Sequence, residues 1–318
     1  MVLAAMTLAV PGATRGGDEA APELQAPGGK RWSLYAATGL QYDSNVALDP
    51  SGTQLPGSPA NPADGAVTLG AGGRYDLLDS ARWQASLEYD FYQTLHFQLE
   101  DFNLRSNRVG GSAGYSLTPT VWTGFQAGYQ HYALGDHGYS GAPFVTPFVS
   151  LTQGDWGLTQ LVYQHAQVTY LSPPFEDVRD GPTDTAGLSQ TVYWGSTYFT
   201  LGYEFGSERP TRRSPAANDF RERYNQVSTG VGFSPGWRTT VDVTYLFRYE
   251  NYTEPNTAAA PLETHRKDTV SQFSVSLRRP ITTYLSVGLA YYGTVDNSNI
   301  PIYQYRRNIV AAELRVAY

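Results

Sequence analysis

Hydrophobic and polar residues alternate along the chain from Arg31 onward, in segments of roughly 12–15 residues. In Trp237–Glu250, Val243 and Tyr245 fall on one face, whereas Asp242 falls on the other. A period of two predicts a β-strand with one apolar and one polar face. The same alternation is present in the segments Trp83–Leu95, Thr197–Phe205 and Leu285–Tyr291.

One segment is less regular than the others. In Trp156–Tyr170, Gln160 and Gln164 fall on the face that carries the apolar residues. We predict that this strand either faces an interface or carries a β-bulge.

Two kinds of connection separate the segments. Short turns rich in Gly, Pro, Asp, Ser and Thr are predicted at Leu78–Ala81, Thr118–Thr120, Gln153–Asp155, Gly195–Thr197, Pro235–Trp237 and Pro280–Thr282. Longer polar loops are predicted at Asn45–Asp64, Phe97–Asp101, Gly135–Gly141, Leu171–Thr183, Gly206–Asp219, Asn251–Thr264 and Asp296–Tyr303. Six short and seven long connections join fourteen strands. The sequence therefore predicts an all-β, antiparallel, up-and-down transmembrane barrel, with both termini at the short-turn side, which is the periplasmic side of such barrels.

Composition is consistent with a barrel. Only 41% of the residues are hydrophobic and the mean hydropathy is −0.37, so no apolar run approaches the ~20 residues of a membrane-spanning helix. A barrel strand needs lipid contact on one face only. The alternative, a soluble β-sandwich or propeller, also has alternating strands, but soluble strands are usually ~5–6 residues long.

The six tryptophans support the membrane interpretation. All of them lie beside predicted short turns or at the start of the first strand, which predicts an aromatic girdle at the periplasmic interface. These residues are Trp32, Trp83, Trp122, Trp156, Trp194 and Trp237.

The N-terminal residues are predicted to lie outside the barrel. Residues 1–15 contain an apolar stretch that ends in small residues, like the remnant of a secretory signal peptide, although no Lys or Arg precedes it. Residues 16–30 are rich in Gly, Pro, Ala and acidic residues, which predicts a flexible periplasmic leader. The barrel itself is assigned to residues 31–318. The lack of cysteine fits passage through an oxidising periplasm.

The C-terminal strand resembles a known class. Val310, Ala312, Leu314, Val316 and Tyr318 alternate with polar or small residues, and the chain ends on the aromatic residue. This pattern is similar to the C-terminal signal by which outer-membrane barrels of Gram-negative bacteria are recognised by the barrel-assembly machinery. The resemblance implies an outer-membrane location, with Val316 and Tyr318 as the assembly signal.

Clusters of basic and polar residues carry a narrower resemblance. They are Arg105–Arg108, Arg221–Asn225, His265–Asp268 and Arg306–Asn308, and the first strand ends in Tyr42–Val46. This layout is similar to the barrels of surface-lipoprotein assembly modifiers and of exopolysaccharide-export proteins. Outward-facing members of the clusters are expected either to bind phosphates of lipopolysaccharide or only to mark the polar edge of the apolar band.

Charged residues of both signs are predicted to line the lumen, where they must pair or be hydrated. These are Arg74, Asp76, Glu88, Asp90, Arg108, Glu204, Asp242, Arg248, Glu313 and Arg315. A mixed lining argues against strong ion selectivity. Tyrosines on the same face are expected either to fill the interior or to form a stacking path for sugars. They are Tyr35, Tyr92, Tyr198, Tyr224, Tyr284 and Tyr292.

Other functional classes have little support. The five histidines show no triad spacing and no G-x-S-x-G occurs, so no enzyme is predicted. Asp- and Asn-rich loops match no calcium loop, and no nucleotide motif is present, so neither a metal nor a cofactor is predicted. A net charge of −7 gives no basic field for nucleic acid.

The sequence therefore predicts a passive, porin-like transport or export channel in the outer membrane, whose cargo is a solute, a polysaccharide or a lipoprotein-linked molecule. The alternative is a closed structural barrel that anchors an envelope or surface complex through periplasmic or surface protein partners. The Pro-rich loop Asn45–Asp64 is the predicted plug or lid.

Overall fold

A computed structural model describes residues 31–50, 58–173, 175–176, 178–212, 214–259 and 264–318. The predicted signal remnant and leader, residues 1–30, lie outside the described residues. Fourteen antiparallel strands form one closed sheet, which confirms the predicted fold class and strand number. The strands are β1 Trp32–Asp43, β2 Asp64–Asp79, β3 Trp83–His96, β4 Leu104–Thr118, β5 Val121–Leu134, β6 His137–Thr152, β7 Gly157–Tyr170, β8 Gly181–Trp194, β9 Thr197–Glu208, β10 Glu222–Gly236, β11 Thr239–Pro255, β12 His265–Pro280, β13 Leu285–Ser298 and β14 Tyr305–Ala317.

Each strand pairs with its two neighbours in sequence, and β1 closes the barrel against β14. The chain ends at the same rim at which β1 begins, where the backbone N–H groups of Leu34 and Tyr318 each donate to the carbonyl of the other at 2.9 and 2.8 Å. We call this end the short-turn rim and the opposite end the long-loop rim. On the outer face of the closure, the Tyr318 ring lies 5.1 Å from Trp32 and 5.5 Å from Tyr284.

Among the described residues, helical structure is confined to the connections. A four-residue α-helix, α1, spans Pro215–Asn218, and single 3₁₀ turns span Glu100–Phe102, Thr257–Ala259 and Pro301–Tyr303. None of the helices in the described residues is long and apolar enough to span a membrane.

The two faces of the sheet differ as the alternation predicts. Large apolar side chains on the outer face are exposed, for example Leu87, Leu201 and Phe247. Polar and ionic side chains occupy the inner face, where Ser86 and Asp268 are almost completely buried. An exposed apolar outside around a polar inside is the inverse of a soluble protein, and it is the arrangement that lipid requires.

One predicted loop is wrong. Gly135–Gly141 was expected to be a long loop, but only Gly135 and Asp136 separate β5 from β6. Gly135 has a φ of +58°, which suits a tight hairpin turn. The register shift at Tyr132 and Ala133 marks a bulge that absorbs an extra residue. Glycine-rich sequence therefore reflects a turn and a bulge here.

In β7, the face that carries most of the apolar residues in the sequence is not the face that is turned to the outside. The apolar set of the irregular segment, which includes Val162 and Ala166, faces inward, whereas Leu161 and Tyr163 are exposed on the outer face. Gln160 faces inward and donates to Ser150 at 3.4 Å. The irregularity thus reflects a strand with apolar residues on both faces.

Removal of Tyr318 should weaken barrel closure. Tyr318→Ala keeps the backbone hydrogen bonds to Leu34 and loses only the ring contacts, so we expect a loss of about 1–2 kcal/mol. Deletion of Tyr318 loses both and should cost about 2–4 kcal/mol. Guanidinium unfolding of refolded protein in detergent measures both. Equal stability of wild type and the deletion would show that the closure does not depend on this residue.

Candidate functional site: the inner wall and the mouth

The lower part of the inner wall is held by an ion-pair network. Arg74 lies 2.9 Å from Asp76 on the same strand and 2.9 Å from Glu88 on β3. Ser86 is 2.9 Å from Ser112 on β4. These charges pair along the wall, as expected for ions in a low-dielectric sheet.

Interior tyrosines lie flat against the wall because glycines leave room for them. A Cβ at Gly232 would overlap the Tyr198 ring, and one at Gly206 would overlap the Tyr224 ring. Each hydroxyl then donates to a carboxylate: Tyr198 to Asp242 at 2.6 Å, and Tyr224 to Glu204 at 2.8 Å. The rings therefore follow the wall instead of projecting toward the barrel axis.

Guanidinium groups cover the inner faces of two of these rings. Arg315 lies 4.0 Å from the centre of the Tyr35 ring, whose hydroxyl donates to Asp90 at 2.8 Å. Arg248 lies 4.3 Å from the centre of the Tyr224 ring. A ring packed between glycine or backbone and a guanidinium has no free face, so Tyr35 and Tyr224 do not offer the stacking surface that a sugar needs.

The remaining predicted lining residues lie on the same inner face. Arg108 stacks on Phe144 of β6 at 5.0 Å, and Glu313 is two residues from Arg315 on β14. Tyr92 donates to Gln41 of β1 at 3.4 Å. Tyr284 is different: it precedes β13, is exposed and packs on Tyr318 outside the barrel, because the strand alternation begins only at Leu285.

The predicted girdle tryptophans all lie at the short-turn rim. Five of them are exposed: Trp32, Trp83, Trp156, Trp194 and Trp237. Trp122 instead packs on Gly114 on the inner face, where its register partner is Ser150. The prediction of an outer girdle fails for Trp122. This residue is the second of β5, and the alternation of side chains along the strand turns it inward.

Carboxylates are concentrated where the inner wall meets the long loops, a region we call the mouth. Its acidic residues are Asp43, Asp64, Glu222, Glu250, Asp268 and Asp296, and its guanidinium groups are those of Arg248, Arg266 and Arg307. Arg307 binds Asp43 through two nitrogens at 2.8 and 2.5 Å. Arg266 pairs with Asp268 and stacks on Tyr303 at 3.6 Å. Carboxylates thus outnumber guanidinium groups at the mouth.

The long loops pack on each other at this rim. Asp219, in the connection between β9 and β10, accepts from the backbone of Thr257 at 2.7 Å. Tyr303, in the connection between β13 and β14, donates to Asn256 at 3.3 Å. Phe175 packs edge-on against Phe220 with ring centres 5.6 Å apart. The loops between β7 and β14 therefore form a connected collar.

Arg179 anchors this collar. Its Nε and one terminal nitrogen donate to the two oxygens of Glu208 at 2.5 and 2.8 Å, and it stacks on Tyr170 and Phe220 at 5.1 Å each. Burial lowers the pKa of the Arg179 guanidinium, but the carboxylate of Glu208 and the hydroxyls of Tyr170 and Tyr139 together raise it by more. The pKa of Arg179 therefore lies well above its usual value, and the ion pair persists at any physiological pH.

The described ends of the predicted plug loop pack against the rim. Val46 and Leu48 are buried, and the Asn45 amide donates to the carbonyls of Asp49 and Arg306 at 2.9 and 3.1 Å. Residues 51–57 lie outside the described residues. A role for the loop as a plug stays a prediction.

The described residues offer no converging ligand set for a metal. In the described part of the chain, no three His, Asp or Glu side chains are grouped so that they could hold an ion. Asp43, at the end of β1, is bound by Arg307.

Sequence reasoning missed most of the mouth. The alternation places Glu250 on the lumen face, and Asp296 belongs to an Asp- and Asn-rich loop for which no metal is predicted. The sequence assigns no role to Arg179 or Glu208. The available signal was their position: each acidic residue is inward-facing and lies near a strand end at the long-loop rim.

No protein-family model matches the chain, and no curated protein matches it. Solved structures match its fold. The outer membrane channel DcaP of Acinetobacter baumannii has a TM-score of 0.52 at 8% identity, covering 90% of this chain and 97% of that one. A TodX monoaromatic hydrocarbon channel mutant has a TM-score of 0.50 at 10% identity, with 91% and 90% covered. The anion-selective porin from Comamonas acidovorans scores 0.48 at 9% identity, with 90% and 98% covered. The chain thus has the fold of bacterial outer-membrane channels.

Substitution of Arg179 should destabilise the collar. Arg179→Met keeps most of the packing on Tyr170 but leaves Glu208 buried without its partner, which should cost about 3–5 kcal/mol. Arg179→Met combined with Glu208→Gln removes both charges and should recover most of that loss. Guanidinium unfolding measures both variants. A double variant no more stable than Arg179→Met would show that the unpaired carboxylate is not the cause.

Proposed function

We propose that the protein is a passive, porin-like channel of the outer membrane for small polar solutes, with a weak preference for cations. The observation that carries this proposal is the inner wall, where ionic and tyrosine side chains pair along the sheet. Tyr35 reaches Asp90 and Tyr198 reaches Asp242, and each bond joins strands two positions apart around the barrel. Side chains held against the wall of a fourteen-strand barrel leave room for water along its axis.

The choice of solute follows from the lining. Ring faces covered by guanidinium groups disfavour a sugar-stacking track for a polysaccharide, as at Tyr35 and Tyr224. The mouth has more carboxyl than guanidinium groups, and it favours cations at a pH at which the buried carboxyls are ionised, which lies above neutral. The paired arginines keep the preference weak. Folds of this class host many cargoes, so the similar channel structures support the channel and not a particular solute.

The orientation and assembly of the barrel belong to the same proposal. Short turns and both termini would face the periplasm, and the collar would face the outside. The exposed C-terminal ring of Tyr318 and the strand that ends with it would be recognised by the barrel-assembly machinery. Periplasmic or surface protein partners are expected only if the alternative, a closed anchoring barrel, is correct.

Conductance in planar bilayers tests the channel directly. Refolded protein, shown to be folded by heat-modifiable migration on a gel, should give steady ohmic steps. In a KCl gradient at about pH 9, the reversal potential should indicate K⁺ over Cl⁻ by roughly two- to fivefold, because fixed carboxylates at a constriction raise the local cation concentration. Folded protein that gives no steps would overturn the channel and favour the closed barrel.

Asp296→Asn should reduce the cation preference without closing the pore. Asp296 is a buried mouth carboxyl beside Asp268 and Glu250, and asparagine keeps its shape. Burial disfavours the charged form of a carboxyl, so the variants are compared at about pH 9, where Asp296 is ionised. The control is Asp101→Asn, which removes one charge from an exposed loop at the same rim. The permeability ratio should fall toward one for the first variant only. Equal effects of the two would assign selectivity to total charge and not to the mouth.

A further inference from the structure

Five tyrosines on the outer face form a belt around the barrel. Each is the seventh residue of an odd-numbered strand and is exposed. Each hydroxyl bonds to a polar side chain on the following strand, two residues nearer the long-loop rim than its register partner. The pairs are Tyr89–Asn107 at 2.9 Å, Tyr163–Asp184 at 2.6 Å, Tyr203–Asn225 at 2.6 Å, Tyr245–Ser271 at 3.3 Å and Tyr291–Asn308 at 2.8 Å.

The height of the belt matches a membrane boundary. Six residues of a tilted strand rise about 15 Å along the barrel axis, and the partner residues lie about 5 Å higher. The tryptophans at the short-turn rim and this belt therefore bracket an apolar band of roughly 20 Å, near the ~25 Å typical of outer-membrane barrels. Amphipathic rings at both edges of such a band sit at the level of lipid headgroups.

Exposed cations lie immediately beyond the belt on the outer face. They are Arg105, Arg223, Lys267 and Arg306. Three of them are two residues from a belt partner, in the pattern Arg-x-Asn: Arg105 and Asn107, Arg223 and Asn225, Arg306 and Asn308. The described residues provide no ion-pair partner for any of the four cations.

Two of these cations lie on either side of the same residue, Asn251. Arg223 of β10 is the register partner of Asn251 of β11, and Asn251 is in turn the partner of Lys267 of β12. The three side chains form an outward row, with the two cations about 10 Å apart because alternate strands are separated by two ladder spacings. Both side chains are long enough to reach a group placed over Asn251.

In the described strands, the outward neighbours of the row carry no negative charge. Its outward neighbours are Asn225, Tyr249, Thr253 and Thr269. The carboxylates of the mouth are on the other face of the sheet, where Glu250 faces Arg248 and Asp268 pairs with Arg266. An anion at the row therefore meets two unpaired cations and an amide donor.

We propose that the row Arg223–Asn251–Lys267 binds the phosphate of an anionic membrane lipid whose acyl chains lie against the apolar band below the tyrosine belt. Guanidinium and ammonium groups donate to the phosphate oxygens, and the Asn251 amide completes the site. Among the described residues, the other faces of the barrel lack a row of this kind. On β8, the side chain bonded to the belt tyrosine is the carboxylate of Asp184, which pairs with Arg209. On β6, the position equivalent to this partner is occupied by Gly141, which has no side chain. The lipid is thus expected on one side of the barrel.

The test uses phosphatidic acid as the probe. Native mass spectrometry of the refolded barrel in neutral detergent counts bound lipid during a titration. Arg223→Gln and Lys267→Gln should each weaken the first binding step about fivefold, and the double variant about 25-fold, because each cation near a lipid surface contributes a factor of this size. Lys267→Arg should retain wild-type binding. Arg279→Gln, which removes an exposed cation from the opposite end of β12, should change it less than twofold.

Several outcomes would overturn the proposal. Wild-type binding by the double variant would exclude the row, and an equal loss in Arg279→Gln would reduce the effect to total charge. If the double variant does not fold, wild-type binding is measured between 50 and 500 mM salt, and affinity that does not fall with salt would exclude a cation–phosphate site. These results are independent of the proposed channel, since conductance is not the readout.

Discussion

Closure of the backbone hydrogen-bond ladder is the constraint on which the rest of the structure depends. In lipid, an unpaired N–H or C=O group has no water to bond, so the sheet cannot have a free edge. The chain meets this requirement at the pairing of β1 with β14, which runs from Tyr35–Ala317 to Asp43–Ile309 and ends on the bonds between Leu34 and Tyr318. Closure also fixes, residue by residue, which side chains face lipid and which face the interior.

The one seam that departs from this rule explains an irregular sequence. The pairing of β6 with β7 is interrupted at Pro143 and Pro147, since proline has no N–H to donate. On β7, the polar Gln167 faces outward opposite Pro143, whereas the aromatic Tyr163 lies opposite Pro147 and Val162 faces inward. The strand thus has apolar residues on both faces, and a polar outward side chain lies opposite one of the two prolines.

Local patterns were sufficient to predict the fold but not the mouth. Strand number and closure follow from alternation, turn residues and an even count, all of which are short-range properties. Trp122 and Tyr284 were misplaced because side-chain direction depends on the first residue of each strand, and strand boundaries are the least certain part of sequence interpretation. The contacts of Arg179 with Glu208, or of Arg266 with Tyr303, join different hairpins, so no single segment contains the information that would predict them.

The position of the tyrosine belt accounts for the strand lengths and for where the charges lie. The strands have 12–17 residues, whereas a tilted strand needs only ~9–11 to cross a bilayer. Since Tyr203 and Tyr245 are the seventh residues of their strands, the surplus lies on the long-loop side, beyond the apolar band. The mouth, with Glu250 and Asp268 near the ends of those extensions, is therefore surrounded by headgroups and water instead of hydrocarbon. A dense set of carboxylates is less costly there than in the bilayer centre, so the same extension that carries the collar also permits the charged mouth.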